Sequence, residues 1–236
     1  MGRASVAVST HLDDVVFSCF SALGPGTTVV TVLAGVPPPN VLGEWDRDGG
    51  ATSSSVRVSE RRAEDARALA PTGSAVVHLD FPDSQYWDED GIAPPTVLQI
   101  AEALRPHIEG TADAYVPAGI HTSDHKLVRD ATLAVRPGAT LYADLPYALH
   151  PDLGGFHLPV DARATNRLRR KVRLDDRTVT AKLVACRCYS TQLDQLAETF
   201  GSFLNPQSLG LEVLWDAAAP LRRRSGRPGS TPRTRG

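Results

Sequence analysis

The chain has 236 residues, of which 42% are hydrophobic, and a formal net charge of −2. That is enough apolar material for one sizeable domain, and the bulk charge gives no reason to expect nucleic acid or a membrane surface as a partner. Three cysteines without framework spacing, Cys19, Cys186 and Cys188, argue against a disulfide scaffold and for a reducing, cytoplasmic setting; no signal-peptide pattern is visible, and no apolar run approaches the ~18 residues of a bilayer span.

In chain order, Val6–Val8 is an apolar run of strand length. Asp13 and Asp14 then open a helix carried by Val15, Val16, Cys19 and Phe20, closed by Gly24-Pro25-Gly26. Val29–Leu33 gives a second strand, so these elements form a β-α-β unit with parallel strands and a right-handed crossover. Ala34–Ser55 is rich in Pro, Gly and Ser and contains Trp45-Asp46-Arg47; a loop this long is usually functional. A helix dense in Arg, Glu and Ala follows over Val56–Ala70, with its charges between Glu60 and Asp65 expected to be mostly solvated. Val76–Leu79 is a third strand, Asp80–Pro95 a second long loop, and Thr96–Ile108 a helix with an irregularity at Pro106. Ala114–Val116 is a fourth strand, Asp124–Val135 a helix and Thr140–Ala143 a fifth strand.

The pattern then weakens. Asp144–Leu158 is expected to be loop with a short element, Ala162–Lys171 a basic helix, and Thr180–Phe200 a final long helix. The alternation predicts a single-domain α/β fold over residues 1–215, Rossmann-like and doubly wound, with a mostly parallel sheet and helices on both faces. Residues 216–236 are a basic Pro/Gly/Arg-rich tail with too little apolar material to fold.

Chemistry concentrates at two strand ends. His11, Asp13 and Asp14 follow the first strand, and His121-Thr-Ser-Asp-His125 follows the fourth. In open α/β sheets, ligands bind at the carboxyl ends of the strands. His11 and Asp14 are three apart, so one turn aims both at one point; His121 and His125 are four apart, on one face of a helical turn. Asp124 is placed to hold an imidazole by a hydrogen bond, as carboxylates do behind metal-bound histidine. The economical assembly places one metal on His11, Asp14 and His125, leaves one position for water, and frees Asp13 as a general base. The alternative for the same residues is a helix cap with surface acids. His and Asp together suit zinc, manganese or iron.

Thr10-His-Leu-Asp-Asp14 resembles the His-x-Asp-Asp motif of the PIG-L/LmbE-like zinc-dependent N-deacetylases. The resemblance continues through Val30-Thr-Val-Leu-Ala-Gly-Val-Pro37, Trp45-Asp-Arg47, Arg61-Arg-Ala-Glu-Asp65, His78-Leu-Asp-Phe-Pro-Asp-Ser-Gln-Tyr86, Ser123-Asp-His125 and Val128-Arg-Asp-Ala131, over roughly residues 5–200. It implies Zn²⁺ on His11, Asp14 and His125, with Fe²⁺ as an accepted substitute, and Asp13 as base. It also implies Arg61 and Asp83 at the sugar, and a charged histidine that helps the tetrahedral intermediate collapse. The chain departs from the family pattern at Leu12 and Val15, and again at Thr122, where the family's histidine is displaced here by one residue to His121.

The implied activity is removal of the acetyl group from an N-acetyl amino sugar, within a glycoside or natural-product intermediate. The expected partner is that small molecule, with no nucleic acid and no membrane, as a monomer or a homo-oligomer. Two alternatives stay open: an amidase for a bulkier acyl group in secondary metabolism, and a non-catalytic α/β ligand-binding or regulatory domain. A nucleotide-binding module is disfavoured, because no Gly-x-Gly-x-x-Gly follows the first strand.

Overall fold

The computed structural model describes residues 4–87, 91–149 and 167–217, and the expected tail lies outside them from residue 218. The strands are β1 (Ser5–Ser9), β2 (Thr27–Thr31), β3 (Ala75–His78), β4 (Asp113–Pro117), β5 (Thr140–Tyr142), β6 (Leu168–Arg173) and β7 (Leu211–Asp216). They form one sheet in the order β3-β2-β1-β4-β5-β7-β6. β1 to β5 are parallel; β7 runs antiparallel to β5, and β6 antiparallel to β7. β1 is central and covered on both faces, which is why Val6, Ala7 and Val8 form an unbroken apolar run with no exposed surface.

The helices are α1 (Asp14–Ser18), α2 (Glu44–Asp48), α3 (Ser54–Leu69), α4 (Val97–Ile108), α5 (Ser123–Val135), α6 (Asp176–Cys186), α7 (Leu193–Phe200) and α8 (Pro206–Leu209). α4 and α5 pack on each other, and α6 packs on α1 and α3. α4 starts with a capping box between Thr96 and Gln99, and it runs through Pro106 to Ile108 because that proline falls in the last turn. Among the described residues no helix is long and apolar enough to cross a membrane.

α3 corrects the expectation that its charges are solvated. Its buried stripe, Ser54, Val58, Arg61, Asp65 and Ala68, has helical spacing but is largely polar. Asp65 accepts a hydrogen bond from Tyr189 Oη at 2.8 Å and lies 2.8 Å from His78 Nε2. Glu64 accepts from Ser190 Oγ at 2.7 Å and from Thr191 N–H at 3.0 Å. These bonds dock the segment after α6 onto α3. A second buried anchor is the Lys182–Glu212 ion pair at 2.8 Å, whose carboxylate also takes the Phe20 N–H at 2.7 Å. Breaking such a pair by removing one partner typically costs about 3–5 kcal/mol.

The last third differs most from expectation. The described part of the anticipated basic helix over Ala162–Lys171 is strand β6, because Leu168–Arg173 pairs residue for residue with β7. The anticipated helix Thr180–Phe200 is two helices, broken where Tyr189 and Gln192 turn inward to bond Asp65 and the Leu12 carbonyl. β7 runs to Asp216, which binds Arg170 at 2.9 Å.

Candidate metal centre

The chain lays β1, β2 and β3 outward in one direction and then returns to place β4 on the other side of β1. That reversal opens a crevice at the carboxyl ends of β1 and β4, the usual ligand position in such sheets. His11 and Asp14 follow β1, and His125 lies in the first turn of α5 after β4. The turn after β1 is held locally. Ser9 Oγ donates to the His11 carbonyl at 2.7 Å and accepts from Val15 N–H at 3.2 Å, while His11 N–H donates to Asp14 Oδ2 at 2.7 Å.

These residues bring three donor atoms together. His11 Nδ1 lies 3.2 Å from His125 Nε2 and 3.7 Å from Asp14 Oδ2, and His125 Nε2 lies 3.7 Å from the same Asp14 oxygen. A point equidistant from the three is about 2.1 Å from each, the length of a zinc–nitrogen or zinc–oxygen bond. The donor set, two imidazoles and one carboxylate, therefore fits a divalent transition metal with a further position open.

Each imidazole has a carboxylate behind it. His11 Nε2 lies 3.3 Å from Asp124 Oδ2 and 3.7 Å from Asp83 Oδ1. Asp124 is itself fixed by Ser84 Oγ at 2.7 Å and by the His125 N–H at 2.7 Å. His125 Nδ1 has no aligned hydrogen-bond partner among the described residues but lies 3.7 Å from Asp144 Oδ1. Asp144, just past β5, accepts the N–H groups of Ala118 and Ile120 at 3.1 and 2.5 Å. Asp124 thus holds an imidazole as expected, that of His11, and Asp144 stands behind His125. The position of Asp144 immediately after a strand was the signal for it in the sequence.

The electrostatics favour a cation. Burial opposes charge on His125, yet Asp14 and Asp144 outweigh it and hold the imidazole up at about 9. His11 is likewise raised, with Asp83 and Asp124 overcoming burial. Burial opposes charge on Asp124, yet the His11 imidazole, His125 and the Ser84 hydroxyl together outweigh it and push the carboxyl well below the usual range. Burial first, and the adjacent Asp14 carboxylate second, push Asp13 up to about 8. Protons on the two imidazoles offset acidic charge that a divalent ion would offset instead.

Asp13 supplies none of the three donor atoms, but with His11 and Asp14 it lines a cavity of about 370 Å³. Arg61 and Asp83 line the same cavity, so five of the seven expected site residues line it; the sixth, His125, has no exposed surface and stands behind the lining, 3.2 Å from His11. Asp83 also caps the turn of residues 84–86, accepting Gln85 N–H at 3.2 Å. Arg61 is 4% exposed and lies 2.8 Å from Asp46. The seventh residue, His121, is not brought to the cavity. It is exposed, at a φ of 72°, with its ring 6.2 Å from that of Tyr147, whose edge in turn faces His125 at 5.2 Å. The one-residue displacement of this histidine puts it beyond Tyr147 from His125. Beside the polar Ser84, Gln85, Thr122, Asp124, Gln192 and Thr199, the lining carries an apolar wall: Trp45, Leu145, Pro146, Tyr147, Leu196 and Phe200. Apart from Trp45, no local pattern in the sequence marked these residues as a wall.

No family model matches the sequence, and no curated protein matches it. The fold, however, is found in solved structures. Teicoplanin deacetylase Orf2 in its zinc-inhibited form superposes with a TM-score of 0.73, at 23% identity over 90% of this chain and 97% of that one. The A40926 pseudoaglycone deacetylase Dbv21 gives 0.71, at 24% identity over 91% and 96%. The chain has the fold of the LmbE/PIG-L deacetylases. A hydratase, the 4-carboxy-2-hydroxymuconate hydratase GalB of Pseudomonas putida, also matches it, with a TM-score of 0.50 at 17% identity over 99% and 100%. The LmbE/PIG-L fold thus carries more than one reaction, and the side chains must decide between them.

Proposed function

We propose that the chain is a metal-dependent hydrolase that removes the acetyl group from an N-acetyl amino sugar, within a larger glycoside or natural-product intermediate. The observation that carries this is a metal-spaced His11–Asp14–His125 triangle, two members of which line one cavity together with a buried, non-ligating carboxylate, Asp13. That is the equipment of hydrolysis by activated water. The two deacetylases that share the fold support the amide as the bond cleaved. Zinc is the working metal in this proposal, and ferrous iron is accepted by the same donors.

His11, Asp14 and His125 would hold a divalent ion, which would supply Lewis acidity that lowers the pKa of water towards about 7 and polarises the amide carbonyl. Asp13 accepts the proton of the attacking water and, once protonated, delivers it to the departing amine nitrogen; such a group typically contributes about 10²–10⁴-fold. Asp124 and Asp144 hold the two imidazoles in orientation. Arg61 and Asp83 face the sugar, Arg61 as donor to hydroxyl oxygens and Asp83 as acceptor. The apolar lining takes the aglycone. The three cysteines are unpaired, which supports the reducing, cytoplasmic setting.

The same lining favours a second reading, in which it receives an acyl chain longer than acetyl. Release of carboxylate from acetyl and octanoyl glucosaminides, with zinc-loaded and chelator-stripped protein, tests both. The first reading expects metal-dependent release of acetate with little octanoate, and the second expects the reverse. No metal-dependent release from either would refute both.

A further inference from the structure

Behind the cavity lies a polar group that the proposed reaction does not use. Asp46, on α2, has no exposed surface. Its Oδ2 accepts a hydrogen bond from the Tyr86 hydroxyl at 2.6 Å, and its Oδ1 lies 2.8 Å from Arg61 Nη2. Tyr86 is also fully buried, in a small cluster with Val41 and Val58 apart from the main core. The Asp46 N–H donates to Gln85 Oε1 at 3.2 Å. Gly43 makes this packing feasible, since a Cβ there would stand 2.4 Å from Gln85 Oε1 and 2.8 Å from Tyr86 Cε1. α2, α3 and the turn after Asp83 therefore meet at one carboxylate, fixed from two sides.

Arg61 lies between this carboxylate and the cavity that it lines. Although it is 4% exposed, its Nε and Nη2 have no aligned hydrogen-bond acceptor among the described residues. The contact with Asp46 is one of charge rather than an aligned N–H···O bond. Buried donors left in this state are unfavourable, so a bound ligand that accepts from them gains disproportionately. Charge decides what that acceptor is. Asp46 already offsets the charge of Arg61, and Asp13, Asp14, Asp83 and Asp124 crowd the same cavity. Even with a divalent ion present, an anionic group arriving at Arg61 meets a negative surrounding. A hydroxyl oxygen accepts the same N–H groups without that repulsion.

We propose that Asp46 sets the charge preference of the site: by offsetting Arg61 it makes this arginine a donor for neutral, hydroxyl-bearing substrates and selects against carboxylated or phosphorylated ones. The inference rests on the proposed function, in which Arg61 faces the sugar, and names the charge class of its substrate. Asp46 is a positioning residue that acts through Arg61.

The test compares acetate release from a neutral aryl N-acetylglucosaminide with release from analogues carrying a carboxylate at C3 or at C6. Wild-type kcat/KM favours the neutral compound. In Asp46→Asn the guanidinium recovers its net charge, and the neutral-to-carboxylate ratio falls by ~10-fold or more for at least one analogue, chiefly through KM. Arg61→Gln, which leaves Asp46 charged, moves the ratio the opposite way. Tyr86→Phe keeps both charges and leaves the ratio within about 2-fold, whatever it does to both rates together; a merely structural role would make it resemble Asp46→Asn. Unchanged ratios in a folded, zinc-binding Asp46→Asn overturn the proposal and leave the deacetylase reading standing. If Asp46→Asn does not fold, an unchanged ratio in Arg61→Gln overturns it alone. No acetate from any substrate with the wild-type protein overturns the functional reading, and the charge preference with it.

Discussion

Replacing Asp13 by asparagine separates the proton-moving carboxylate from the metal-holding one. Asn keeps the shape and the neutral hydrogen-bonding of the buried side chain but accepts no proton. Loss of a positioned general base lowers kcat by about 10²–10⁴-fold, or roughly 3–5 kcal/mol in the barrier. Zinc content stays at the wild-type level, because none of the three donor atoms belongs to Asp13. Stability moves the other way. Burial and Asp14 hold the Asp13 carboxyl at about 8 in the metal-free fold, so between about pH 4 and pH 8 the folded state keeps a proton that the unfolded chain has shed. Stability contributed by that proton therefore falls as pH rises through this window, at up to about 1.36 kcal/mol per pH unit. His11, His125 and Asp14 slope in the same direction and are present in both proteins, so the difference between them reports Asp13 together with its coupling to these neighbours. Chemical denaturation of the metal-free proteins at pH 5 and pH 7 should show the wild type losing roughly 2–3 kcal/mol more than Asp13→Asn. Acetate release and zinc analysis complete the assay. Activity within 10-fold of wild type, or loss of zinc together with activity, would refute the division of labour between the two acids.

Three further outcomes follow from the same geometry. Asp144→Asn loses the charge behind His125 and sets an amide against the N–H groups of Ala118 and Ile120, so zinc affinity falls about 10–100-fold in a competition titration. His121→Ala keeps kcat within about 10-fold of wild type, because the imidazole lies outside the cavity; a loss comparable to that of a general base, about 10²-fold or more, would return His121 to the chemistry. Zinc binding tightens from pH 6 to pH 8 and releases protons measurable by calorimetry in buffers of different ionisation enthalpy, since His11 and His125 hold protons that the metal displaces. Affinity independent of pH over that range would show that the imidazoles are already neutral.

The parts of the fold legible in the sequence are those with local causes. Val6–Val8 and Val29–Val30 are apolar because they lie inside a parallel sheet, and the strand-helix alternation through β5 states the topology. The convergence of the candidate metal ligands was legible for a related reason: His11 and Asp14 share one turn, and the rule that strand ends bind ligands links them to His125 across more than a hundred residues. What escaped depends on distant partners. Leu168–Arg173 has five exposed side chains and no alternation of apolar residues, so only its pairing with β7 makes it a strand. The break between α6 and α7 has no Gly or Pro to announce it; it exists because Tyr189 reaches Asp65. Arg61, Glu64 and Asp65 look like an ordinary solvated helix face until the residues that neutralise or bond them, Asp46, Thr191 and Tyr189, arrive from other parts of the chain.

The most direct test of the metal centre is the number of zinc equivalents retained per chain after exhaustive dialysis, measured for the wild type and for His125→Ala. Removing one of three convergent donors leaves two that span one edge of the triangle, too few to hold the ion. The geometry predicts about one equivalent for the wild type and close to none for the variant. No zinc in the wild type, or one equivalent in both, would contradict it.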